Sequence, residues 1–141
     1  MEMDRRHQRA LSSRINQPRP LALLPAALIS DLLLRMEVTM IAKIIIKRRF
    51  VKENTPQILS LLNKIRSIAM NQPGYISGET LMQMNYPENL AVICTWQKMK
   101  YWEAWKSSEE RKTYEAMLEI YQTRPTQYEE YLLGTSFQKE E

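Results

Sequence analysis

The spacing of apolar and polar residues changes several times along the chain, and each change predicts an element. From Met40 to Val51, MIAKIIIKRRFV reads as a strand. Ala42, Ile44, Ile46 and Phe50 share one parity, and Ile41 and Ile45 share the other with Lys43 and Lys47. Both faces are therefore partly apolar, as in a sheet covered on both sides. The period then turns helical: Ile58, Leu61, Leu62, Ile65, Ile68 and Ala69 form one stripe. Thr55 is the expected cap, Pro56 suits the first helical position, and Pro73-Gly74 is a stop. Tyr75 to about Met84 predicts a second strand, in which Gly78 signals a bulge or a close backbone contact. YPEN is the expected turn into a third strand, LAVICTWQ. There Leu90, Val92, Cys94 and Trp96 share one face, and Ala91, Ile93 and Thr95 the other.

Two helices and a strand complete the pattern. Around Lys100–Lys106, residues Tyr101, Trp102 and Trp105 fall on one side of a short helix. Ser107 to Glu110 resembles a capping box for the next helix, which carries Tyr114, Met117, Leu118 and Tyr121 and is expected to end at Arg124-Pro125. In TQYEEYLL, Thr126, Tyr128, Glu130 and Leu132 oppose Gln127, Glu129, Tyr131 and Leu133. The order β-α-β-β-α-β predicts an α+β, ferredoxin-like fold with one antiparallel sheet and helices on one side. Its other face, with Ile41, Ile45, Ile93 and Tyr131, calls for a cover. A second copy placed across a two-fold axis would supply one, so a homodimer is expected.

Residues 39–134 hold this domain, and 135–141 form a short polar tail. Residues 1–38 are different in kind. Their six basic residues are all Arg, whereas residues 39–141 use nine Lys and five Arg. The apolar run from Leu21 to Leu34 is interrupted by Pro25 and Asp31 and is too short to span a membrane. Its acids and prolines fit neither a signal peptide nor a transit peptide. A disordered extension is expected, or a start placed too early, with Met36 or Met40 as the true beginning.

Charge and residue inventory narrow the chemistry. The formal charge of +4 comes with no dense basic stripe and no interleaved aromatics, so nucleic acid is not an expected partner. Lys47-Arg48-Arg49 reads as a solvated strand end, and LMQM from Leu81 to Met84 as adaptable packing. One cysteine, Cys94, fits a reducing, cytoplasmic setting. The only histidine is His7, and from residue 39 onward there is no Asp. No Ser-His-Asp triad, His-based zinc site or thiolate cluster can be assembled there, so no metal is expected. Neither GxGxxG nor GxxxxGK[ST] occurs, so no nucleotide cofactor is expected.

Three stretches, PGYISGETL, LAVICTWQKMKYWEAWKSSEERKTY and TQYEEYLLG, resemble the antibiotic biosynthesis monooxygenase family over about residues 39–134. The resemblance implies the dimeric α+β barrel, and a mixed range of activities. Some members oxygenate aromatic phenols without metal or flavin, and others degrade haem. The haem-degrading branch is matched at Trp105. Its strand-one Asn falls at about Lys47 here and its haem-ligating His at about Glu115, which argues against haem degradation. The aromatic-oxygenating branch is matched at Trp96 and near Trp102, but its Asn four residues before that Trp falls at Val92.

A deprotonated phenol or quinol can itself supply electrons to O2. The protein then has to bind a flat ring, exclude water and favour the anion. Expected walls are Trp96, Trp102, Trp105 and Tyr114, with Cys94 and Val92 on the same strand face as Trp96. Arg111 or Lys47 could favour an anion, and Glu115 could act as base if it faces inward. A bland alternative stands beside each assignment. The tryptophans at helical spacing also fit plain packing. Arg111 and Glu115, four apart, also fit a surface pair, and Cys94 a small buried hydrophobe. The expectation is a cofactor-independent monooxygenase acting on a small aromatic substrate; the alternative is a non-catalytic dimeric module that binds a small molecule or only packs.

Overall fold

The computed structural model describes residues 25–134. By contacts the chain divides into Met1–Leu33 and Leu34–Glu141. The described part of the first unit is the beginning of helix α1 (Ala26–Thr39), which follows Pro25. This helix occupies part of the segment expected to be disordered; the rest of that expectation, and the tail 135–141, lie outside the described residues. Among the described residues no helix is long and apolar enough to cross a membrane.

The second unit runs β1 (Ala42–Arg49), α2 (Thr55–Ala69), β2 (Tyr75–Gln83), β3 (Tyr86–Trp96), α3 (Met99–Lys106), α4 (Glu109–Glu119) and β4 (Gln127–Leu132). The four strands form one sheet in the order β2-β3-β1-β4, and every neighbouring pair is antiparallel. This is the ferredoxin-like arrangement that the periodicity predicts. β1 is central, with Ala42 opposite both Trp96 and Leu132, Ile44 opposite Cys94, and Ile46 opposite Val92 and Tyr128. Strand residues two apart share a face. One face therefore collects Ala42, Ile44, Ile46, Leu90, Cys94 and Trp96, all buried in one core with Ile58 and Ile65 of α2, Trp102 and Trp105 of α3, and Leu118 of α4.

Several boundaries differ from the sequence expectation, each for a local reason. The cap of α2 is Asn54 rather than Thr55; its φ of 64° is left-handed, a conformation that Asn tolerates better than most residues. The β2–β3 turn falls at Met84-Asn85, and YPEN is already strand. Pro87 is accommodated by a register shift between Met82 and Gln83. A second register shift in β2 lies between Tyr75 and Ser77, just before Gly78. Ser108, not Ser107, caps α4, accepting a 3.2 Å hydrogen bond from the Arg111 backbone N–H. That helix ends at Glu119, short of Arg124-Pro125. The chain leaves it to pair with the end of β1, where the Val51 and Thr123 amides donate to the Tyr121 and Arg49 carbonyls. Gly74 has a φ of +81°, and a β-carbon there would run into the Tyr101 ring that packs on it.

Candidate functional site

The tryptophans meet where β3 ends and α3 begins. Trp96 is fully buried as the last residue of β3. Its indole N–H donates to Cys94 Sγ at 3.4 Å. Tyr75 meets its ring edge-on with centroids 5.3 Å apart. Trp102, also fully buried, lies 6.1 Å from Trp96 and 6.0 Å from Tyr128. The edge-on Tyr75–Trp96 pair adds to the area effect of burying large rings. The Trp102 N–H donates to Glu130 Oε1 at 3.1 Å, which Lys106 Nζ also reaches at 2.8 Å. The Lys106 bond, helped by the indole N–H, holds the Glu130 carboxyl below its usual range.

Beside this aromatic cluster lies a buried ion network. Arg48 grips Glu115 with both terminal nitrogens, Nη1 to Oε2 at 2.6 Å and Nη2 to Oε1 at 2.5 Å. Arg111 Nη2 reaches the same Oε1 at 2.9 Å and donates to Tyr128 Oη at 3.0 Å. Thr126 and Gln122 accept further bonds from Arg48 at 3.1 and 3.3 Å. The Arg111 guanidinium also sits 5.3 Å from the ring centres of both Trp102 and Tyr128, a cation–π placement. Arg48 and Arg111 are each 3% exposed and Glu115 8%. The Nε–H of each arginine is buried and finds no acceptor among the described residues.

A cavity of about 60 Å³ opens between α2 and the sheet. Val92, Cys94, Trp96, Trp102 and Trp105 line it, together with Ile46, Leu62, Ile65 and Ala69. Arg48 and Arg111 bring the charged network to its wall, while Arg66, Tyr75, Gly78, Glu79 and Thr80 line it from α2 and β2. Arg66 Nη2 donates to the Gly78 carbonyl at 2.8 Å, tying the exposed arginine of α2 to β2. A β-carbon at Gly78 would collide with the Tyr75 hydroxyl, so glycine lets that phenol lie across the strand. Burial pushes both the Tyr75 phenol and the Cys94 thiol upward. Cys94 therefore stays a neutral thiol at neutral pH, a poor nucleophile. A larger groove of about 480 Å³ lies at Phe50, Ile58 and Tyr86, but it brings together no buried ion network or tryptophan.

The candidates from sequence thus separate. Trp96, Trp102, Trp105, Cys94, Val92 and Arg111 share the cavity. Tyr114 does not: it is half-buried on α4 and packs at the edge of the core. Glu115 faces inward, but both its oxygens are engaged by arginines, so it is no free base, and the Arg111–Glu115 pair is buried rather than superficial. Lys47 sits on the opposite sheet face, where it pairs with Glu129 at 2.7 Å. Arg48 was missed. In the Lys47-Arg48-Arg49 run it reads as a solvated strand end, yet it has the parity of Ala42, Ile44 and Ile46, which places it on the core face. Among the described residues no group of three or more His, Cys, Asp or Glu is placed to hold a metal ion.

Removing one partner from a buried ion network strands the others in a poorly solvating interior. Glu115→Ala should therefore lower the unfolding free energy by about 3–5 kcal/mol in urea titrations. Lys47→Ala, which breaks only a solvent-exposed pair, should change it by less than about 1 kcal/mol. Equal, small effects would mean that the network is not buried as described.

No protein-family model matches the sequence, and no curated protein matches it. Solved structures do share its fold. A conserved protein from Methanosarcina mazei Go1 superposes with a TM-score of 0.62 at 14% identity, over 69% of this chain and 96% of the other. SnoaB, a cofactor-independent oxygenase from Streptomyces nogalater, gives 0.61 at 10% identity, over 70% of this chain and 97% of its own. A structure described as an antibiotic biosynthesis monooxygenase gives 0.59 at 13% identity, over 67% and 98%. The domain therefore has the ferredoxin-like α+β fold found in antibiotic biosynthesis monooxygenases, as the resemblance in sequence implies.

Proposed function

We propose that the domain is a cofactor-independent monooxygenase that oxidises an aromatic or quinol-like small molecule in the cavity beside Trp96. The observation that carries this is the wall itself: indole rings and aliphatic side chains on most sides, with two buried guanidinium groups at one place. Such a wall binds a flat ring, excludes water and stabilises an anion, and these are the needs of a reaction in which the substrate reduces O2. The electrons come from the substrate anion. One electron passes to O2, the resulting radical and superoxide join in a C–O bond, and the hydroperoxide loses water to leave a carbonyl. One oxygen atom ends in the product and the other in water, with all four electrons drawn from the oxidised carbon. Arg111 and Arg48 would hold the anion, and the tryptophans would hold the ring. The fold shared with SnoaB supports this reading.

A second reading is favoured by the cavity's size. About 60 Å³ is far below the roughly 300–1,000 Å³ usual for small-molecule sites. A ring would enter only if α2 and β2 part at the Arg66–Gly78 contact. If they do not, the domain is a packed, non-catalytic module. Oxygen uptake separates the two. Protein mixed anaerobically with a panel of hydroquinones and anthrones, then exposed to O2, should outpace the uncatalysed reaction. Val92→Phe, which pushes a ring into the cavity, should return the rate to background. Equal rates with and without protein across the panel would exclude the oxygenase.

We also propose that the domain forms a homodimer through the sheet face opposite the helices. That face carries half-buried Ile45 and Ile93 together with exposed Leu81, Tyr131 and Leu133. Light scattering at micromolar concentration should give twice the chain mass of 16.7 kDa. A stable monomer would contradict this interface.

A further inference from the structure

We infer that the ligand of this cavity is an anion whose negative group seats against Arg48 and Arg111, two lining arginines whose Nε–H groups lack an acceptor among the described residues. The inference rests on the cavity being the ligand site and adds that binding itself, without oxygen or turnover, selects a negatively charged ligand. Two arginines face one carboxylate, so the Arg48–Glu115–Arg111 network carries one net positive charge. All three side chains are nine-tenths or more buried. The remaining partners, Tyr128, Thr126 and Gln122, are neutral. Glu130, the acid bound to the adjoining Trp102, is already paired with Lys106. Glu79 also lines the cavity, but it stands opposite Ile93 on the other sheet face, and Arg66 brings a further positive charge to the lining. Among the described residues no second carboxylate pairs with Arg48 or Arg111.

Unmatched hydrogen bonding points the same way. Buried N–H groups in folded proteins almost always find acceptors. Here the Nε–H of both cavity-lining arginines finds none among the described residues. A carboxylate or phenolate oxygen would meet both needs, charge and acceptor; a neutral carbonyl would meet only one. Charge-assisted bonds of this kind are roughly twice as strong as neutral ones, and the apolar surroundings strengthen them further. The orientation follows. The anionic group lies at Arg48 and Arg111, and the apolar body lies along Trp96, Trp105 and Leu62 toward Arg66.

The test is binding, measured without oxygen on the wild-type protein. Acetate and benzoate are compared with the uncharged acetamide and benzamide at fixed ionic strength, by quenching of the tryptophans and by shift in melting temperature. Acetate is included because it needs little more room than the cavity already offers. Carboxylates should bind at least about tenfold tighter than the matching amides, a difference of about 1.4 kcal/mol. Arg48→Met, if folded, should erase that preference. Amides that bind as well as carboxylates, or carboxylates that do not bind at all, would overturn the inference. Carboxylate binding without quinol turnover would sustain it while removing the oxygenase reading. Quinol turnover alongside a preference for amides would do the reverse.

Discussion

The ion network of Arg48, Glu115 and Arg111 is the constraint around which the domain is arranged. It joins the central strand β1 to helix α4, and through Tyr128, Thr126 and Gln122 it reaches β4 and the turn before it. Arg111 in turn stacks over Trp102, which packs on Trp96. Desolvating three charged groups is expensive, and apolar residues of similar volume often stabilise a core as well or better. The network is therefore poorly explained by stability alone. It lies on the wall of an aromatic cavity; on the proposed reading its use there is to hold positive charge for a ligand, with geometry already set.

The same arrangement explains why no ordinary catalytic group stands out. Glu115, the one acid facing inward on α4, is held by two arginines. Burial pushes the Cys94 thiol up, outweighing the Trp96 N–H that donates to its sulfur. What remains is a site that can bind, orient and stabilise charge but has little to give in proton transfer. That suits a substrate that supplies its own electrons, and it suits equally a protein that only binds. The Arg66–Gly78 hydrogen bond joins α2 to β2 beside this cavity.

Much of the fold was legible because strand parity and helical stripes are direct consequences of burial. β1, β3 and β4 each show their alternation in sequence, and α2 shows its stripe. The errors cluster at ends, where backbone hydrogen bonding outweighs side-chain pattern. Asn54 takes the cap by entering the left-handed region, and α4 stops early because its exit pairs with β1. At the site, aromatic residues were legible from their rarity and spacing. Arg48 was not, because a run of three basic residues at a strand end usually faces water. Its burial is made tolerable by Glu115, 67 positions away, with Gln122 and Thr126 still farther along the chain, and such distant partners leave no local signal. The one signal in the sequence is its shared parity with Ala42, Ile44 and Ile46, which the basic run outweighs.

A double-mutant cycle between Arg48 and Glu115 tests the account most directly. Arg48→Met, Glu115→Leu and the double variant are compared by urea unfolding. If the two side chains form one buried unit, the single losses will add to more than the loss in the double variant, with a coupling of about 1–3 kcal/mol. Additivity within about 0.5 kcal/mol would show that they do not act together, and the charged wall of the cavity would have to be abandoned.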